Sequence, residues 1–300
     1  MKNTFTHELD FRQERDFGQK INATFAFIGA QWRPLGRVLL YLVLPVALIS
    51  SIVLGVGQAT IFSRFGSGNF GSYSAYGVGI PTFLGLIGML VTYLLLVATL
   101  YEYVRLRMAL PTEEDVTPAL VWSQVRSALP WLLLAGLVAF VIVGVAFAFF
   151  VIPGIYMTIA LSPLFAVMIM EREGFSKALS RSMSLISGHW WATFGLLIVM
   201  SMLQGFLGMI FQIPTYAVAA IKFLHWPLPM EGVLLVIAQV VGSLGQTALY
   251  IPTTLAILFQ YFNLVEQKDG LGLHTLVDRI GQQPATVRNQ SYQPDEEGEY

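Results

Sequence analysis

The chain has no cysteine. Disulfides, thiolate metal sites and cysteine nucleophiles are therefore excluded. Charge is scarce too: Asp, Glu, Lys and Arg make up 12% of the 300 residues against 55% hydrophobic residues, where soluble domains carry roughly 25% charged residues. A water-soluble surface cannot be built from that composition, and the chain belongs in a bilayer. Residues 1–20 lack a short apolar core with a small-residue cleavage site, so no cleavable signal peptide is expected and the first span serves as the membrane address. There is no Walker loop, dinucleotide fingerprint or G-x-S-x-G elbow. The four histidines, His7, His189, His225 and His274, sit on different segments without metal-ligand pairing. No catalytic residue, metal or cofactor is expected, and no nucleic-acid partner.

What is present is a series of long uncharged runs, at 38–63, 65–101, 127–170, 182–221 and 232–265. A helix needs about 20 predominantly apolar residues to cross about 30 Å of hydrocarbon. The 44 residues of 127–170 hold two crossings, with a tight turn expected at Pro153-Gly154. Six spans follow, near 37–57, 80–103, 131–152, 154–170, 190–212 and 233–262.

Basic residues fix the orientation, because Lys and Arg flanking the spans favour the cytoplasmic side. Alternating the non-membrane segments between two sides leaves only Arg64 and Lys222 of the 17 basic residues on the outer one. Both termini are expected in the cytoplasm of a multi-pass cell-membrane protein.

Three tryptophans organise an internal repeat. Segment 17–32 carries Phe17, Ile21, Phe25, Ile28 and Trp32 at helical spacing, which makes one apolar stripe with a polar opposite face. Segment 175–190 repeats the layout with Phe175, Ala178, Leu179, Met183, Ile186 and Trp190, and segment 116–131 again ends on a Trp. There Thr117-Pro118 makes an N-cap and first-turn pair. Each segment leads into a pair of spans that returns at a carboxylate: Glu102, Glu171 and Glu266. Either these are three copies of one unit, or cytoplasmic linkers between spans simply look alike. The reading adopted is an all-α integral membrane protein with six transmembrane helices as three hairpins, each preceded by a cytoplasmic interfacial amphipathic helix. Its divisions are a cytoplasmic segment 1–36, a membrane domain 37–265 and a cytoplasmic tail 266–300 with a disordered end. Residues 64–79, rich in Gly, Ser and Tyr, are expected as a flexible outer loop, and 213–231 as a partly helical outer connection.

Two sets of residues are candidates for function. Around the cytoplasmic rim, Glu102, Glu171 and Glu266 can face Arg37, Arg126 or Arg181 in a ring of salt bridges, and Lys177 with Arg181 forms a candidate headgroup contact. Inside the membrane no ionisable residue is expected at mid-depth, which counts against a proton relay. The spans instead carry Gln204, Gln212, Gln239, Ser243, Gln246 and Thr247, with positions 239, 243 and 246 on one face. Such groups hydrogen-bond between helices; the competing reading is a polar substrate path. Pro153, Pro163, Pro214 and Pro252 interrupt or border spans, where a kink is expected, with Thr253 and Thr254 able to re-satisfy the backbone beside Pro252. No span contains GxxxG. The serines of 180–187 are assigned to the polar face of the interfacial helix.

Pro163 with Glu171, followed by Ala178-Leu179-x-Arg181-Ser182-x-x-Leu185-x-x-Gly188-x-Trp190, resembles the motif of the six-span membrane-domain family named after glycerophosphoryl diester phosphodiesterases. The segment from Tyr261-Phe262-Asn263-Leu264 to Asp269-Gly270 is similar to that family's closing segment. The resemblance implies fold and location, including a bacterial inner membrane. It implies no phosphodiesterase activity, because the soluble barrel found in some members, about 250 residues long, has no counterpart in a tail of roughly 35 residues.

Two functions remain open. The first is a scaffold or lipid- and partner-binding protein whose basic helices contact the bilayer, including anionic headgroups, at about 1 kcal/mol per suitably placed charge. The second is a carrier or permease component for a lipid-like or small polar solute, which a cavity lined by Gln204, Gln239 and Gln246 would favour.

Overall fold

The computed structural model describes residues 5, 8–66, 79–111, 114–224, 226 and 229–270. Most of the 64–79 loop, parts of the 213–231 connection and the tail from 271 on therefore lie outside the described residues. Among the described residues every regular element is a helix: α1 (Glu8–Phe11), α2 (Phe17–Leu42), α3 (Leu44–Gly66), α4 (Ile80–Ala109), α5 (Pro118–Phe149), α6 (Val151–Ala160), α7 (Leu164–Met170), α8 (Phe175–Ile186), α9 (Trp190–Phe223) and α10 (Glu231–Asp269). Six stretches are long and apolar enough to cross a membrane: Leu44–Phe62, Ile80–Ala109, Pro118–Phe149, Val151–Met170, Trp190–Phe223 and Glu231–Asp269. The chain is thus a multi-pass membrane protein. Large apolar side chains such as Phe140, Phe149, Phe150, Ile152 and Phe206 stand fully on the surface, which water would not tolerate over so wide an area.

Helix limits differ from expectation in three places, each for a backbone reason. The boundary placed at 36/37 falls inside α2, which continues through Pro34 to Leu42 and gives way at Val43 to α3. Likewise α5 runs unbroken through Pro130, joining segment 116–131 to the span after it. A proline costs the carbonyl four residues earlier its partner. Those carbonyls belong to Ala30 and Arg126, both exposed, so the helices can continue. The third difference is the turn between α5 and α6. It falls on Phe150, whose backbone is extended, while Pro153 and Gly154 lie in the first turn of α6.

Pro163 does break its helix, separating α6 from α7. The carbonyls released there find hydroxyls: Ser162 Oγ donates to the Ile159 carbonyl at 2.8 Å and Ser182 Oγ donates to the Ala160 carbonyl at 2.7 Å. Ser182 is therefore buried against the bundle rather than on a polar face, with Ala178, Leu185 and Ile186 beside it. Met183, expected in the apolar stripe, is exposed. In α2 the sides are also reversed relative to the protein interior: Phe17, Phe25 and Trp32 of the stripe are exposed, while Lys20, Ala23, Thr24 and Phe27 are buried. Asp16 and Gln19 form a capping box at the start of α2, and Thr117 Oγ1 accepts from the Leu120 N–H at 3.4 Å.

Small residues let neighbouring spans approach, as close membrane packing requires. A Cβ on Gly85 would lie 2.5 Å from the Leu54 Cα, and one on Gly57 would lie 2.7 Å from the Thr82 nitrogen, so α3 and α4 touch backbone to backbone. Gly208 and Gly242 do the same for α9 and α10, each receiving a glutamine, Gln246 and Gln212 respectively, from the facing helix. At one end of the α9–α10 pair, Lys222 is ion-paired with Glu231.

The densest core sits at the other end, where α4 and α10 finish. Leu94 to Val104 and Thr254 to Val265 are buried almost without interruption. The N-terminal segment is folded into this end: Phe5, Phe11 and Phe27 cluster with Phe259, and the Phe11 and Phe259 rings stack at 6.2 Å.

Candidate functional site

Three polar clusters meet at the charged end of the bundle. The first is a clasp built on Arg181 of α8. It forms ion pairs with Asp269 on α10 and with Glu171, the latter at 3.3 Å, and Tyr261 Oη donates to the same Glu171 oxygen at 3.0 Å. Burial alone would lower the Arg181 pKa, but its hydrogen bond to Asp269 and the charges of Glu171 and Asp269 raise it instead. The guanidinium is permanently charged and already occupied. Lys268 adds a hydrogen bond to the Ser184 carbonyl.

The second is a buried chain linking the N-terminal segment to α9 and α10. Lys20 Nζ donates to Gln260 Oε1 at 2.8 Å, and Gln260 Nε2 donates to Thr193 Oγ1 at 2.8 Å. The Arg15 N–H donates to Asn263 Oδ1 at 2.7 Å, and the Arg15 guanidinium donates to the carbonyls of Phe11 and Asp10. It also lies over the Phe259 ring at 5.2 Å. Burial pulls the Arg15 pKa down to about 10 and lowers that of Lys20, with Asp10 and Asp16 partly offsetting the effect. These two cations tie the N-terminal segment to α9 and α10, and Arg15 also lines a polar cavity of about 390 Å³ with Asp10, Gln13, Gln19 and Asn22.

The third cluster heads an open groove of about 530 Å³ between α4, α5, α7 and the start of α8. Its walls include Trp131, Leu132, Leu134, Ala135, Val138, Met168, Ile169 and Phe175, and its head holds Glu102, Arg172 and Glu173. Glu102 is almost wholly buried and paired with Arg105 at 2.6 Å. Arg105 Nη2 and Arg172 Nη2 both donate to Gln124 Oε1, at 3.2 and 3.0 Å. Arg172 is exposed and forms no ion pair among the described residues. Its backbone is left-handed, φ 56°, where a glycine would sit with less strain.

The rim candidates therefore separate. Glu171 meets Arg181 as expected. Glu102 pairs within its own helix with Arg105, not with Arg37 or Arg126, both of which are exposed and form no ion pair among the described residues. Glu266 lies one turn before Asp269, and its carbonyl accepts the capping N–H of Gly270 at 2.9 Å. Lys177 is highly exposed and pairs with Glu173 at 3.2 Å. The rim ion pairs thus include Arg181 with Glu171 and Asp269, Arg105 with Glu102, and Lys177 with Glu173.

Inside the membrane region the polar residues also divide. Gln204 accepts from Thr253 Oγ1 at 3.0 Å, joining α9 to α10, so that hydroxyl serves the helix contact and not the backbone beside Pro252. Gln239 Nε2 donates to Ser243 Oγ at 3.0 Å within α10. Ser243 and Gln246 line a cavity of about 330 Å³ together with Thr92, Tyr93, Gln212, Thr247 and Tyr250; Gln204 and Gln239 do not.

No family model matches the chain, nor does any curated protein or solved structure.

Residues that matter and were not singled out from the sequence are Arg172, Arg105, Lys20, Gln260 and Asp269. A signal for Arg172 exists in Glu171-Arg172-Glu173-Gly174: a cation two residues after the apolar run ends at Met170, within a short connection. Lys20 gave no such signal, because its place on a helix with exposed neighbours reads as solvated.

Proposed function

We propose that the chain is a non-catalytic membrane scaffold that holds phospholipid at the charged end of its bundle. The observation that carries this reading is the groove: an apolar channel open along the side of the helices and headed by charged groups. That combination suits an amphiphile with an anionic headgroup. In the same reading both termini are cytoplasmic, the six spans form three hairpins, and α8 with the first turns of α2 and α5 lies in the headgroup plane. The one-sided placement of all basic residues but Arg64 and Lys222 supports this orientation. The outward-facing Phe17, Phe25 and Trp32 would contact lipid. Membership of the membrane-domain family named after glycerophosphoryl diester phosphodiesterases belongs to the proposal too, resting on the Pro163-to-Trp190 and Tyr261-to-Gly270 motifs. The membrane is then the cell membrane of a bacterium.

The test is native mass spectrometry of the detergent-purified full chain. Phospholipid adducts that survive delipidation are expected, and a protein carrying none would contradict the proposal.

A second reading, carriage of a small polar solute, is favoured by the cavity of about 330 Å³ with Gln212, Ser243 and Gln246 in its wall. Its lining is uncharged, which would suit a neutral hydroxyl- or amide-bearing solute. Solute uptake into proteoliposomes that falls when Gln246 is changed to Leu would move the balance toward carriage.

A further inference from the structure

We infer that the groove between α4, α5 and α7 is a site for one phospholipid molecule, with Arg172 holding the phosphodiester and the strip from Trp131 to Val138 holding an acyl chain. The inference rests on the lipid-holding reading and adds the residue, the chemical group and the position of the chain.

Among the described residues Arg172 is the one cation in the lining of the groove. Arg105 is neutralised by Glu102, Lys177 by Glu173 and Arg181 by Glu171 and Asp269. Arg172 has no carboxylate partner among the described residues and donates one hydrogen bond, to Gln124. A guanidinium has five N–H donors, and its planar fork matches a phosphate geometrically. Arg172 is thus the group in the groove's lining that an anionic phosphodiester can pair with. The left-handed backbone of Arg172 is a position that side chains adopt reluctantly.

Groove length points to a chain in one leaflet. The groove follows α5 from Ser127 to Val138, which is about 16 Å at 1.5 Å per residue. Half of the roughly 30 Å hydrocarbon thickness is about 15 Å. A channel that starts beside a free cation and ends near mid-bilayer fits one acyl chain of a lipid whose phosphate stays at the rim. A free phosphate ion would have no use for the apolar walls.

The test places full-length protein in phosphatidylcholine vesicles that contain a trace of phosphatidylglycerol with a photoactivatable diazirine on its acyl chain, and maps the cross-linked peptides. Labelling should concentrate on 131–138 and on Met168 and Ile169. Arg172→Gln should reduce that labelling about tenfold, as loss of one charge-assisted hydrogen bond predicts. Val138→Trp, which fills the strip but keeps Arg172, should reduce it as well. A diacylglycerol probe without phosphate should show no concentration there. Even labelling along all outward-facing helices, or unchanged labelling in Arg172→Gln, would overturn the assignment. If lipid adducts survive delipidation while labelling is even, the groove is wrong and lipid holding stands; if no adduct survives either, both fall.

Discussion

Arg181, in the second turn of α8, is ion-paired with Asp269, the last residue of α10, 88 positions later in the chain. The same guanidinium reaches Glu171 at the end of α7, so one side chain ties three helices at one end of the bundle. Both partners of the Arg181–Asp269 pair are about 30% exposed, which keeps its worth to about 1 kcal/mol.

Arg181→Gln should destabilise more than Asp269→Asn, because it leaves two carboxylates facing each other. Thermal unfolding in detergent of the two single variants and the double variant should give a coupling of about 1 kcal/mol. Strict additivity would show that the clasp is incidental.

Lys20 and Gln260 make a sharper pair, since both are buried. Gln260→Leu strands a buried ammonium and should cost about 2–3 kcal/mol. Lys20→Met removes the charge along with its hydrogen bond and should cost less, and the double variant should resemble Lys20→Met. The sign with pH follows from burial. The folded-state pKa of Lys20 lies below its ordinary 10.5, so the unfolded chain binds that proton more tightly. The burial cost is felt in full below the folded-state value and shrinks as pH rises toward 10.5. Wild-type stability should therefore gain on that of Lys20→Met over that window. A constant difference would mean that Lys20 is not desolvated.

Gly85→Ala should push α3 from α4, because its new Cβ would meet the Leu54 backbone at 2.5 Å. A cost of about 1–3 kcal/mol is expected. Gly144→Ala in α5, with nothing within 4 Å, should be neutral or slightly stabilising. Equal effects at the two sites would contradict the close approach.

The spans were readable because charge is so rare that the gaps between charges alone count helices. The ends were harder. Whether a helix continues through Pro34 or Pro130 depends on whether the carbonyls of Ala30 and Arg126 are wet, and Pro163 breaks its helix where Ser162 and Ser182 are at hand to accommodate it. The site was legible only in part. Arg181 with Glu171 could be proposed because both sit at rim positions. Its second partner, Asp269 on the helix of the expected Glu266, is decided by helix phase at the bundle's end. Arg172 is distinguished as the cation in the groove's lining, once Arg105, Lys177 and Arg181 have found their carboxylates, and that allocation needs coordinates. Lys20 looked solvated because the helix turns its apolar stripe outward, a choice that suits lipid and would be wrong in water.

The account depends most on the charged end of the bundle facing the cytoplasm after six crossings. The chain has no native cysteine, so Phe70→Cys and Gln290→Cys can each be labelled without background by a membrane-impermeant maleimide on intact cells and again after permeabilisation. Position 70 should label from outside and position 290 only after permeabilisation. Labelling of both positions from the same side would contradict the topology.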